Sequence, residues 1–132
     1  CPFAAHIRKT NPRSDLPVAT DDAHRIIRGG TPYGPEVTAA EAASNTTTIQ
    51  RGLAFVAYQS NLANGFQFLQ HTWANNPGFL PHTGFPEPGF DAIIGANAGQ
   101  SRFTQGLNPA DQTANLTLPF DFIISRGGEY FF

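Results

Sequence analysis

Disulfides, membrane spans and a cationic surface are all missing from this chain of 132 residues. The lone cysteine, Cys1, has no partner for an internal disulfide and says nothing of the redox compartment. No apolar run nears the ~18 residues that a membrane helix needs, and no stretch reads as a signal peptide. Eight Lys and Arg against ten Asp and Glu leave a formal charge of −2, which gives nucleic acid no broad basic face. Neither nucleic acid nor a membrane is therefore an expected partner. The spacing signatures of common catalysts are missing too. The four histidines, at 6, 24, 71 and 82, form no H-x-x-x-H pattern and there is no C-x-x-C, so a zinc site has little support. No G-x-S-x-G elbow, P-loop or G-x-G-x-x-G is present, although composition alone does not exclude a Ser/His/Asp triad.

What is there is one domain's worth of chain, long enough to bury a core, with 40% hydrophobic residues and twelve phenylalanines. Seven of the eight basic residues are arginines, and half of the basic charge lies in the first 25 positions. That bias points to placed charges rather than a solubilising coat. Two N-x-Thr triplets, Asn45-Thr46-Thr47 and Asn115-Leu116-Thr117, favour a secreted, extracellular glycoprotein.

Residues 1–22 read as a structured loop, because Pro2, Pro12 and Pro17 interrupt any helix while apolar residues persist between them. A short strand is predicted over Ala23–Arg28, ahead of a Gly-Gly and a Pro-Tyr-Gly-Pro turn. Residues 38–49 read as a surface connection in which four threonines and an asparagine disfavour a helix. The clearest strand is Gly52–Tyr58, with Leu53 and Phe55 on one face and Ala54, Val56 and Tyr58 on the other. Leu62, Phe66, Leu69 and Trp73 then recur at helical spacing and predict an amphipathic helix over Asn61–Asn75. The following Pro/Gly/Asn-rich segment carries Phe79, Leu80, Phe85, Phe90, Ile93 and Ile94, a density that implies a packed loop. A strand over Phe120–Ser125, a Gly-Gly turn and a last apolar strand close the chain. The sum is α+β, a few antiparallel strands with one firm helix, compatible with a ferredoxin-like split β-α-β unit.

Taken singly, the candidate functional residues are a histidine in an apolar loop (His6), an arginine before a Gly-Gly turn (Arg28) and several aromatic faces. Taken together, the order CPFAAHIRKTNPR, HRIIRGGTPYGPE, RGLAFVAYQSNL, PGFDAIIG and SRGGEYFF resembles the C-terminal part of a fungal, secreted dye-decolourising peroxidase, a haem enzyme. The resemblance runs along nearly the whole chain. It implies a C-terminal ferredoxin-like, haem-binding domain over residues 1–132 of a two-domain fold, with haem b as cofactor. Hydrogen peroxide would be the oxidant, and dyes, phenols and other bulky aromatics the reducing substrates. In that family the AAH-x-R-K segment lies well inside the polypeptide, so Cys1 is expected to be a cut end, and an N-terminal fragment of the same enzyme the partner.

The same resemblance assigns roles residue by residue. His6 matches the axial ligand of haem iron, a task that suits a neutral imidazole beside an apolar stretch. Asp91 matches the carboxylate that accepts the His6 N–H, with a plain turn former as the alternative. Arg28 matches the distal arginine, whose guanidinium stabilises negative charge during peroxide cleavage. Leu53 and Phe55 match residues lining the distal cavity, and could equally be strand core. Arg13, with Arg8 or Lys9, is the candidate for pairing with haem propionates, unless this is merely a solvated basic loop. Trp73 and Tyr33 match positions that can pass electrons outward, while Trp73 also fits as helix core. The family's G-x-x-D-G motif, whose Asp moves a proton, is absent here and is expected upstream of Cys1. From a different class, the competing reading is a non-catalytic secreted β-rich binding module; a third is a haem-binding regulatory relative without turnover.

Overall fold

The computed structural model describes residues 1–80 and 87–132. They form two compact units, Cys1–Arg25 with Asn61–Phe132, and Ile26–Ser60.

In the first unit the segment read as a loop is helical in three short pieces: α1 (His6–Thr10), a 3-10 turn (Arg13–Asp15) and α2 (Val18–Asp22). Pro12 and Pro17 stand immediately before the second and third pieces, where a missing N–H removes no helical bond. They start helical turns instead of preventing them. The buried Asp21 ties this region together, accepting from the Arg25 guanidinium at 3.0 Å.

The amphipathic helix begins later than its periodicity predicts. The Asn61 side chain accepts from the Asn64 N–H and holds 61–65 as a turn, so helix starts at α4 (Phe66–Phe68) and continues as a π-helical stretch over Leu69–Ala74. Leu69, Trp73 and Ala74 are buried, joined in the core by Ala4, Leu80, Phe90 and Leu118. Trp73 stacks on Phe79 at 4.9 Å and meets the edges of Phe68 and His24, while His24 itself stacks on Phe68. Of the predicted packed loop, Leu80 and Phe90 are buried and Ile93 is exposed; Phe85, like His82, lies outside the described residues.

A small ladder that the sequence reading did not contain pairs β3 (Arg102–Thr104) with β4 (Leu116–Leu118). The predicted strand over Phe120–Ser125 does not form, and no described residue after Leu118 is in a strand. Pro119, which has no N–H to give a ladder, follows β4 directly, and the Phe120 carbonyl accepts from the Arg102 guanidinium.

The second unit is a β-α-β piece. Strand β1 (Ile27–Tyr33) runs antiparallel to β2 (Gly52–Tyr58), with α3 (Ala39–Ser44) in the connection. β2 has the predicted bounds. β1 lies four residues late and passes through the Gly-Gly-Thr-Pro stretch read as a turn, because pairing with β2 outweighs the local turn preference of those residues. Gly30 leaves space that the Leu53 side chain crosses, 3.0 Å from where a Cβ would stand. Helix α3 forms despite the threonines because Thr38 and Glu41 make a reciprocal capping box, the T-x-x-E signature present in the sequence. Glu41 also accepts from the Thr48 and Ile49 N–H groups and from Arg51, and these bonds, Arg51 first, hold its carboxyl well below the ordinary range. The α+β class thus holds, and no helix among the described residues is long and apolar enough to cross a membrane.

Candidate functional site

His6 opens helix α1 and Asp91 lies 85 positions away, yet His6 Nδ1 sits 2.8 Å from Asp91 Oδ2. Asp91 is fully buried, and its other oxygen accepts from the backbone N–H groups of Ile93 and Ile94 at 2.8 and 2.9 Å. Burial disfavours the carboxylate, but the hydrogen bond from His6, those two N–H groups and the attraction of His6 outweigh it and hold the pKa below its ordinary value. A charged carboxylate can only accept, so Nδ1 carries the proton. Nε2 has no hydrogen-bond partner among the described residues, and the His6 side chain is 34% exposed. The pair therefore offers an oriented, electron-rich nitrogen at a partly open position.

Two buried cations fix the chain around this pair. Lys9, three residues after His6 on the same short helix, is 0% exposed, and its Nζ donates to the carbonyls of Asn76, Phe79 and Gly89 at 2.6–2.7 Å. Arg102, on β3, donates to the carbonyls of Asp91 and Gly95 from one nitrogen and to that of Phe120 from another. Its Nε stands 3.2 Å from Asp121 without hydrogen-bond geometry. Gly89, at φ 108°, packs so closely on β3 that a Cβ would lie 2.6 Å from the Thr104 Cα. Arg102 carries no sequence signal as a site residue, and Lys9, the only lysine in the chain, is expected from sequence as a propionate partner and not as a buried clamp.

In the second unit the register places Arg28, Leu53 and Phe55 on one face of the hairpin, since Arg28 pairs with Ala57 and Gly30 with Phe55. All three are exposed, Leu53 by 57% and Phe55 by 44%, so neither is strand core in this unit. Tyr33 lies on the opposite face, its phenol over Gly52. Trp73, in the first unit, is 3% exposed and fills the aromatic core. Of the three cations considered for propionates, Arg8 is held by both Asp15 oxygens and the Cys1 carbonyl, and Lys9 is spent on main-chain carbonyls. Arg13 is the exposed one.

The family model for Dyp-type peroxidase, C-terminal, matches residues 1–79, three-fifths of the sequence and the part that carries His6, Arg28, Leu53 and Phe55. The chain belongs to this family. Among curated relatives, all of it aligns with a dye-decolorizing peroxidase of Auricularia auricula-judae at 56% identity and with one of Exidia glandulosa at 60%. It spans only 27% and 25% of their lengths. A crystal structure of the Auricularia protein superposes with a TM-score of 0.90 at 53% identity, covering 97% of this chain and 30% of that one. A second solved structure, of a dye-decolorizing peroxidase whose haem pocket was engineered for asymmetric sulfoxidation, superposes with the same TM-score of 0.90 at 52% identity. The fold is that of the ferredoxin-like C-terminal part of these proteins.

Dyp-type peroxidases are haem-dependent, and the residues here fit that group. Among the described residues no three His, Cys, Asp or Glu side chains converge to cage a bare ion. A single imidazole with its far nitrogen pinned by a buried carboxylate is instead the donor set for iron already held in a macrocycle.

Proposed function

We propose that the protein to which this sequence belongs is a haem peroxidase that uses hydrogen peroxide to oxidise dyes, phenols and other bulky aromatics. The observation that carries this is the donation of the His6 Nδ1 proton to the fully buried Asp91, which leaves Nε2 for iron. When bound, haem b would supply the redox chemistry: hydrogen peroxide with two protons and two electrons, the electrons taken one at a time from the aromatic substrate, becomes two waters. His6 holds and orients, and Asp91 keeps the Nδ1 proton drawn away, so the imidazole donates more strongly. Arg28 sets a permanent positive charge where negative charge grows on the departing oxygen. Leu53 and Phe55, on the same face, keep the peroxide side narrow and apolar. Arg13 pairs with a propionate.

Tyr33 passes electrons from substrate outside. Trp73 does so as an interior relay, because its burial keeps bulky substrates from touching it. The acid that moves the peroxide proton belongs to a part of the enzyme outside these residues, a reading supported by the missing G-x-x-D-G and by the fourfold greater length of the relatives. That same part would cover the exposed face carrying Arg28. We also place the enzyme outside the cell, since both sequon asparagines, Asn45 and Asn115, are exposed. No observation favours the β-rich binding module: among the described residues the ladders are two two-stranded sheets.

The test is the absorption spectrum of the full-length enzyme titrated with hydrogen peroxide. We expect a Soret band that changes on peroxide addition and reverts when a phenol or dye is supplied. A colourless protein would contradict the proposal, and a Soret band inert to peroxide would favour the regulatory haem binder.

A further inference from the structure

We propose that Lys9 is a positioning residue for the iron ligand, locking helix α1 to the chain that leads into Asp91 so that His6 Nδ1 and Asp91 Oδ2 stay in register. The inference rests on the reading of His6 as that ligand. Helix α1 has five residues and no side-chain cap at its start, so it has little stiffness of its own. His6 and Lys9, three apart, lie on one face of it. Whatever holds Lys9 therefore holds His6.

What holds Lys9 is a set of three main-chain carbonyls from two places, Asn76 with Phe79, and Gly89. Gly89 is two residues from Asp91, and the intervening Phe90 N–H is bonded to the Phe103 carbonyl. Gly89 itself packs directly on β3, bridged to Thr104 and with no space there even for a Cβ. A displacement of α1 would therefore be carried to the carboxylate with little slack. Arg102 grips the other side of the turn through the carbonyls of Asp91 and Gly95, so Asp91 is fixed from both directions. Arg8 ties α1 to its own neighbours, Asp15 and Cys1, so among the described residues the side-chain hydrogen bonds from α1 to the 76–91 segment are those of Lys9 and His6. An ammonium is the side chain that can satisfy three converging carbonyls, having three donors and no acceptor. Its burial lowers the Lys9 pKa to about 8 although the Asp91 charge opposes this, so the proton is retained at neutral pH by a narrow margin.

A merely structural lysine would alter stability and leave the ligand's electronics untouched. The discriminating readout is the iron–histidine stretching band of the ferrous full-length holoenzyme, measured by resonance Raman in the unmutated protein and in Lys9→Met, Asp91→Asn and the double variant. We expect Lys9→Met to move the band to lower frequency, in the direction of Asp91→Asn, because a slackened Nδ1–H bond makes a weaker donor. The double variant should show no further shift, since both changes break one coupling. A Lys9→Met band at the unmutated position in a less stable protein overturns the proposal. If the unmutated enzyme has no iron–histidine band, the His6 reading fails and takes this proposal with it.

Should Lys9→Met not fold, the unmutated holoenzyme decides the matter. Asp91 is the charged group whose field reaches Lys9 among the described residues, and it is already ionised. The band should move downward as pH is raised through about 8, and a band fixed through that range counts against the clamp.

Discussion

Replacing His6 with alanine in the full-length enzyme is expected to abolish stable haem binding and peroxide turnover, with the Soret absorbance per protein falling close to zero. Imidazole added to the solution should restore both in part. The loss follows from the proposed role of His6: it is the residue read as the iron ligand, and alanine offers no donor. The partial rescue follows from the surroundings. His6 is partly exposed, so its departure opens a slot that solvent can reach, and Asp91 remains at the back of it to accept an N–H. Asp91 keeps its two backbone donors, Ile93 and Ile94, and the variant should fold at a cost of about 1.5–3 kcal/mol for the lost charged hydrogen bond. Full haem retention in His6→Ala would show that another residue binds the iron.

Replacing Arg28 with leucine should leave the Soret band and folding intact and lower kcat/KM for hydrogen peroxide by about 10²–10³, the usual cost of removing one donor aimed at developing negative charge. Arg28 is exposed within its own unit, so the β1–β2 hairpin does not depend on its side chain. The KM for the aromatic substrate should be unchanged, because the arginine acts before that substrate is oxidised. Arg28→Lys should recover little of the loss, since a flexible ammonium does not reproduce a rigid guanidinium fork. Rapid mixing of the ferric enzyme with peroxide, followed at the Soret band, isolates the affected step. An unchanged rate in Arg28→Leu would remove the arginine from peroxide cleavage.

Much of the second unit was legible in sequence. The alternation Leu53, Phe55 against Ala54, Val56, Tyr58 gave β2 its bounds, because a strand's period is written residue by residue. β1 was misplaced because glycines and a proline look like a turn until a partner strand is known, and that partner lies 25 residues on. Helix α3 could have been recognised from Thr38 and Glu41, but the threonine count obscured the cap. In the first unit the stripe Leu69–Trp73 marked the core, while the start of the helix depended on the Asn61 side chain, which leaves no trace in hydrophobic periodicity.

The site divides in the same way. His6 by itself resembles any loop histidine, and Asp91 any turn former; only the order of motifs along the chain joined them, and the structure brings them to 2.8 Å. The clamping role of the buried cations was out of reach, although Lys9 was legible as a possible propionate partner. Lys9 and Arg102 are recognisable as clamps only once the carbonyls they meet, from residues 76–95 and 120, have been folded around them.

The measurement that tests most directly whether Asp91 tunes His6 as an iron ligand is the Fe(III)/Fe(II) midpoint potential of the full-length enzyme against that of Asp91→Asn. Asparagine fills nearly the same space but cannot draw the Nδ1 proton as a carboxylate does, so ferric iron loses stabilisation. We expect the potential to rise by about 59 mV for each tenfold loss of ferric preference, with at least one such factor. A potential that stays where it was, in a variant that has kept its haem, would mean that the His6–Asp91 bond does not govern the iron.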